Sequence, residues 1–447
     1  MFCKYNTFHQ LLAGAAILLS CTLTKQARNM DNKQAVTITA AVPTDTVKTD
    51  EFLETLMRQY PLYFDSILNN RNGLNVQVIY TQVNRGANGI AGLKNYYFNV
   101  NPARYFYPAS TVKLPIVLLA LQKLNELKEK GIDRNTTMLT ETSYSGQTSV
   151  YNDPTAPDGR PSIAHYIKKI LMVSDNDAYN RLYEFLGQEY INSELHKKGY
   201  ADAQILHRLD IFLSEEENRQ TNPIIFSDNN NNVLYKIPGQ RNAASYVQRN
   251  DSLGKAYYRR GALVNGPMDF SKKNRLSLED LHNILLGVIF PDKLRSENRF
   301  NISEEDRQFV LKYMSQYPTE STYPPYAADT ATYWPAYCKF LLFGATKDKL
   351  PGNIRIFNKP GDAYGHMIDV SYVADFKNNI EFFVSAVIYC NSDGVLNDDK
   401  YDYATVGLPF MKNLGQVIYD YELKREYRIR PDLSAFKFTY DAAPPIK

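Results

Sequence analysis

The stretch Tyr107–Pro115 reads YPASTVKLP, and the fold turns on whether its Ser110 and Lys113 form a reactive pair or merely open an ordinary helix. Serine three residues before lysine recurs at Ser252 and Lys255 and again at Ser434 and Lys437, so the spacing decides nothing by itself. The surroundings differ. Pro108 stands just before the first pair and the nearly all-apolar LPIVLLALQKL follows it, which places Ser110 at the start of a buried helix. At i and i+3 the two side chains share a face. A serine hydroxyl is a weak nucleophile until something accepts its proton, and a lysine does so only where burial or a second cation lowers its pKa. The second pair encloses Gly254 and the third lies in the C-terminal tail; neither has that setting.

Outward from Ser110, two further short motifs carry polar chemistry. Ser174-Asp175-Asn176 joins the apolar helical pattern SIAHYIKKILMV to the next one, DAYNRLYEFLG. Another Ser-Asp-Asn, at Ser227-Asp228-Asn229, sits in an asparagine-rich loop and reads as an exposed turn. Lys359-Pro360-Gly361 closes the strand-like NIRIFN ahead of another strand, where a lysine can point along a sheet edge. A serine, two lysines and a serine/asparagine pair suit acyl transfer and leave no obvious metal site. The six histidines show no ligand-like spacing, and His366 reads as a strand-edge residue rather than a base.

The wider pattern is helix, then strands, then a long helical stretch, then strands again. FLETLMRQYPLYFDSIL has helical spacing and NVQVIYTQV alternates, whereas helical patterns dominate from Ser110 to about Gly344. GNIRIFNKPG, HMIDVSYVADF and IEFFVSAVIYC bring strands back before a final amphipathic helix in PFMKNLGQVIYDYEL. This predicts a mixed α/β (α+β) chain: one sheet built from both ends, flanked by helices, with an all-helical lobe inserted over about residues 110–345. The polar stretch of about 227–269 and the Pro/Tyr-rich YPTESTYPPYAADTATYWPAY read as surface excursions.

Taken in order, the Ser110/Lys113 pair, Ser174-Asp175-Asn176 and Lys359-Pro360-Gly361 resemble the active-site set of class A β-lactamases and the related penicillin-binding proteins. PASTVKLPIVLLAL, LMVSDNDAYNRLYEFLG, NRQTNPIIF and FNKPGDAYGHMIDVSYVADF are similar to the corresponding family segments, and the likeness extends over about Gln77 to Ile418. It implies a two-lobed fold with an antiparallel sheet and a cleft between the lobes. It also implies Ser110 as acylated nucleophile, Lys113 as its base, and Ser174 as the group that passes a proton to the leaving nitrogen. Asn176 would orient Lys113 and the substrate amide, and Lys359 would supply positive charge. The backbone N–H groups of Ser110 and Asp362 would hold the oxyanion, with Pro360, Gly361 and Asp362 lining the substrate site.

Two departures from the family pattern bear on chemistry. Pro360 stands where the family has a hydroxyl that helps hold a substrate carboxylate. LHRLDIFLSEEENRQTNP is similar to the family's Ω-loop but shorter, with Asp210 near the place of the deacylating glutamate. Glu215, Glu216 and Glu217 are the alternative carboxylates, more readily taken as a solvated turn. The resemblance implies an acyl-serine hydrolase without a cofactor, whose leading activity is the opening of a β-lactam amide. Its rivals are a peptidoglycan D-Ala-D-Ala-type peptidase or other envelope acyl hydrolase, and a non-catalytic envelope binding lipoprotein.

The whole chain sets the remaining bounds. Its 447 residues can bury a substantial core. With 51 basic and 48 acidic residues leaving +3, no broad field draws it to nucleic acid, and a small-molecule amide substrate and a monomer are expected. Lys4 precedes an apolar run, Leu11–Leu19, too short to span a bilayer but suited to a signal-peptide core. Leu18-Leu19-Ser20-Cys21 resembles a bacterial lipobox. The expected layout is a signal peptide over residues 1–20, a lipid-bearing Cys21, and a flexible tether over 21–50. The hydrolase domain follows over 51–425 and a C-terminal extension over 426–447. Such a protein is exported to the periplasm and anchored in the membrane. Cys338 and Cys390 would remain in the mature chain, and their pairing is left open.

Overall fold

The computed structural model describes residues 46–344 and 346–441. The expected signal peptide, the lipobox-like Cys21 and residues 21–45 of the tether lie outside the described residues. The chain order begins with helices α1 (Glu51–Arg58) and α2 (Pro61–Asn69) and strands β1 (Gln77–Arg85) and β2 (Ala91–Phe98). Next come α3 (Lys113–Glu126), β3 (Thr137–Thr140), α4 (Ile163–Val173), α5 (Asn176–Leu186), α6 (Gln188–Lys197) and α7 (Glu215–Arg219). Six short strands follow: β4 (Ile224–Ser227), β5 (Val233–Ile237), β6 (Ser252–Leu253), β7 (Ala256–Arg259), β8 (Ala262–Asn265) and β9 (Met268–Asp269). The chain then forms α8 (Leu278–Ile289), α9 (Glu304–Ser315), the long strands β10 (Ile354–Ala363), β11 (His366–Asp375) and β12 (Ile380–Tyr389), then β13 (Val395–Leu396) and α10 (Leu408–Lys424).

The principal sheet has the order β10-β11-β12-β1-β2, antiparallel throughout, so strands from both ends of the sequence meet, as the alternation predicts. Because side chains alternate across a strand, Ile79 and Val83 of β1 enter one apolar cluster with α3, α4, α5 and α8. Val78 and Tyr80 enter a second cluster with α1, α2 and α10. Helix α3 is buried nearly all round, from Lys113 to Gln122 and Leu124, which is why its sequence lacks an amphipathic stripe. β10 lies at the sheet edge, where Pro360 is tolerated without breaking the ladder.

Four expectations are revised. The inserted lobe is not all helical: β3, β4 and β5 form a sheet within it, from runs of four or five residues that are too short for a hydrophobic period to register. The 227–269 stretch is not merely a surface excursion. β5 pairs with β4, and β7 pairs in parallel with β13, far along the chain. The C-terminal segment packs as well: Leu433 and Phe436 are buried, and the Phe436 ring contacts those of Phe357 and Tyr372 at 5.6 and 5.0 Å. Ordered contact begins before Glu51, since Lys48 bridges to Val100. Cys338 and Cys390 are both buried free thiols. Among the described residues no helix is long and apolar enough to cross a membrane.

Candidate active site

Ser110 does not open an α-helix directly. Residues Ala109–Val112 form a 3-10 turn and the α-helix begins at Lys113. Pro115 falls in the first turn of α3, where a missing N–H costs nothing because those donors have no intrahelical partner. Ala109 has φ +48°, a left-handed conformation that costs a side-chain-bearing residue about 1–3 kcal/mol. The Pro108 carbonyl holds the turn by accepting from Thr111 N and Thr111 Oγ1 at 3.1 and 2.5 Å.

Lys113 Nζ lies 2.9 Å from Ser110 Oγ, 3.1 Å from Ser174 Oγ and 2.6 Å from Asn176 Oδ1, and it also donates to the Ser174 carbonyl. Burial, reinforced by the neighbouring Lys359, holds its pKa well below the ordinary lysine value. The proton count follows. A neutral amine has two N–H donors and one lone pair; the Ser174 carbonyl and Asn176 Oδ1 can only accept, so they take the donors. The lone pair is left for a serine hydroxyl. Asn176 Nδ2 meets Asp210 Oδ2 at 3.4 Å, which fixes the same amide orientation from the other side.

Ser174 caps α4 in the left-handed region, φ +62°, which turns its hydroxyl into the cluster. Lys359 Nζ donates to Ser174 Oγ at 2.9 Å and to the Pro360 carbonyl at 2.7 Å. Burial brings the Lys359 pKa down to about 8. Gly361 explains how β10 reaches the nucleophile: a Cβ there would lie 2.6 Å from Ser110 N and 2.9 Å from Thr111 N. Only glycine allows that approach, and it sets Asp362 beside the Ser110 turn.

Asp210 projects from the loop between α6 and α7 with φ +55° and is exposed. The loop is pinned from α5, because Asn180 accepts from Leu209 N and donates to Leu209 O at 2.8 and 2.9 Å. Arg208 secures its base through Glu184, at 2.9 Å, and the Glu217 and Gln220 carbonyls. Glu217 closes a capping box with Ser214, while Glu215 and Glu216 pair with Lys272 and Arg241. That triad forms a solvated helix start. Ser252 lies on strand β6, and Ser434 and Lys437 are both exposed; neither repeat makes a buried pair. His366 is buried at the start of β11 and held neutral by burial, with its pKa down to about 3.

Ser110, Asn176, Asp210 and Asp362 line one cleft of about 450 Å³. Several of its features were missed in the sequence. His207 stacks on Tyr107 with the rings 2° apart, and burial lowers its pKa to about 4. Tyr364 packs edge-on to Tyr107 at 5.0 Å. Behind β10, Lys339 Nζ donates to Asn358 Oδ1 at 2.7 Å, and Asn358 Nδ2 donates to Asp369 Oδ1 at 2.9 Å, bracing the residue just before Lys359. The polar Asn358 inside an apolar strand was the one available signal. Among the described residues no group of three or more His, Cys, Asp or Glu is placed to hold a metal ion.

A family model described as the beta-lactamase enzyme family matches residues 63–421. No curated protein matches the chain. Similar solved structures include a beta-lactamase from Sphaerobacter thermophilus, with 12% identity and a TM-score of 0.43 over 81% of this chain and 96% of that one. A class A beta-lactamase from Clostridium kluyveri has 14% identity and a TM-score of 0.42 over 80% and 98%. PBP-A has 15% identity and a TM-score of 0.42 over 86% and 100%.

Proposed function

The chain belongs to the beta-lactamase enzyme family, and from that premise we propose that it is an acyl-serine hydrolase of the class A type in which Ser110 attacks an amide carbonyl. The observation that carries the reading is Lys113 Nζ, buried and depressed in basicity, 2.9 Å from Ser110 Oγ. Lys113 takes the Ser110 proton as the Oγ–C bond forms. The oxyanion rests on the backbone N–H groups of Ser110 and Asp362. Ser174, between the two lysines, relays the proton from Lys113 to the departing nitrogen as the C–N bond breaks, and the charged Lys359 steadies that hydroxyl. Water, activated by Asp210, then releases the acyl group and restores Ser110.

The leading substrate is a β-lactam amide. An envelope peptidase of the D-Ala-D-Ala type is the second reading; its substrate also ends in a carboxylate, so the hydroxyl absent at Pro360 bears on both readings alike. A binding protein without turnover fits less well, since the proton-transfer chain from Ser110 to Lys359 is unbroken. The domain stands behind a signal peptide and a lipid-bearing Cys21, on the outer side of a membrane, and acts as a monomer. The test is labelling with a mechanism-based serine-hydrolase probe followed by peptide mass mapping. The adduct is expected on Ser110 and lost in Ser110→Ala; an adduct on Ser252 or Ser434 would overturn the assignment.

A further inference from the structure

The charged groups lining the cleft are Asp210, Asp362, Arg208 and Lys273. Arg208 is neutralised by Glu184, so two carboxylates face one remaining lysine on the walls. Asp362 is the one beside the nucleophile. Its side chain opens to the cleft and no described residue hydrogen-bonds its carboxylate; partial desolvation raises its pKa, and Lys359 and Lys113 oppose that rise only at a distance.

The neighbouring positions offer an incoming anion little. Proline at 360 has neither a side-chain donor nor an N–H. Lys359 already spends two of its donors on Ser174 Oγ and the Pro360 carbonyl, and Lys113 gives its own to Ser174 and Asn176. A carboxylate entering beside Gly361 therefore meets one committed ammonium and one free carboxylate. An ammonium there meets a carboxylate to which no described residue donates, and charge complementarity separates it from an anion.

We infer that Asp362 is a specificity-determining residue and that the acyl donor taken by this cleft carries a protonated amine, rather than a penicillin-like carboxylate, next to its scissile carbonyl. The inference rests on the acyl-serine hydrolase reading above and replaces its leading substrate with a cationic acyl donor. A substrate cation at Asp362 also offsets the repulsion between that carboxylate and the oxyanion forming on the adjacent backbone N–H.

Three phenylacetyl amides that differ only in their terminal group, an ammonium, an acetamide or a carboxylate, provide the test. Their binding is measured by calorimetry on Ser110→Ala protein, so that no turnover enters the result. The ammonium ligand is expected to bind about tenfold or more tightly than the carboxylate. That gap should collapse in Ser110→Ala/Asp362→Asn and in Ser110→Ala/Asp362→Ser, the second covering a folding defect in the first. Equal affinities, a preference for the carboxylate, no binding of the ammonium ligand, or an unchanged gap in a folded Asp362 variant would each overturn the inference. Labelling of Ser110 in the unmodified protein by a neutral fluorophosphonate separates the two claims. Labelling without the charge preference removes only the role of Asp362, whereas the preference without labelling upholds that role and removes only the hydrolase.

Discussion

At the scale of single residues, the proposed mechanism depends on two buried lysines holding different charges. Lys113 must be neutral to accept a proton, and its depressed pKa follows from burial beside Lys359. Lys359 must be charged, and its pKa of about 8 means that the charge is present below that pH and lost as pH rises through it. The kcat/KM profile for acylation should accordingly carry an alkaline limb near pH 8. In Lys359→Arg, whose guanidinium stays protonated, whatever activity remains should hold level through that region; an unmoved limb would assign it to another group. Lys113→Ala removes the base and should slow acylation by roughly 10²–10⁴-fold, read as the rate of adduct formation on Ser110 by stopped-flow mass analysis.

At the scale of elements, an edge strand, a strained turn and a pinned loop are brought into contact. β10 approaches the Ser110 turn through Gly361, where a Cβ would lie 2.6 Å from a backbone nitrogen. Backbone cannot yield as a flexible side chain does. Gly361→Ala should push β10 away from Ser110, lowering kcat/KM by about 10²-fold with a stability loss of about 1–3 kcal/mol, measured by kinetics and urea unfolding. Near-normal kinetics would show that the approach is not needed. In the proposed mechanism the loop between α6 and α7 serves the second half-reaction. Asp210 is held near Asn176, but its reach is one methylene shorter than a glutamate's, so hydrolysis of the acyl-enzyme should be the slow step. Burst kinetics with one fast equivalent are expected. Asp210→Asn should leave the burst intact and slow the phase after it by about 10²-fold or more; steady hydrolysis without a burst would reassign both the slow step and the carboxylate.

At the scale of the whole molecule, the sheet is buried on both faces, and the segment after α10 closes over one end of it. Phe436 packs against Phe357, two residues before Lys359, so the C-terminal residues support the same strand that carries the site. The proposed N-terminal arrangement bears on where the protein works. If Cys21 is the lipid-bearing first residue of the mature protein, Cys21→Ser should leave the precursor uncleaved or release the protein from the membrane fraction, as followed by fractionation and intact mass. Unchanged membrane association with cleavage elsewhere would rule out that anchor.

Much of this protein is determined by local sequence. The apolar run after Ser110 makes a buried helix, the apolar runs rich in β-branched and aromatic residues in three late segments make strands, and the Ser174 junction breaks one helix and starts another. These outcomes rest on periodicity and on backbone preferences, which act between near neighbours. The ordered motifs therefore single out Ser110, Lys113, Ser174, Asn176 and Lys359, side chains that the fold joins in one hydrogen-bonded cluster. Tertiary structure decided what distance along the chain conceals. Lys113 meets Ser174 across 61 positions and Lys359 meets it across 185, so the lysine charge states come from burial and from each other, which no window of sequence contains. The parallel pairing of β7 with β13, the packing of the tail and the brace behind Asn358 likewise join segments too short or too polar to announce a partner. Asp362 was legible as a strand residue beside Gly361; that its carboxylate stands unpaired in the cleft depends on which donors the folded chain has already committed.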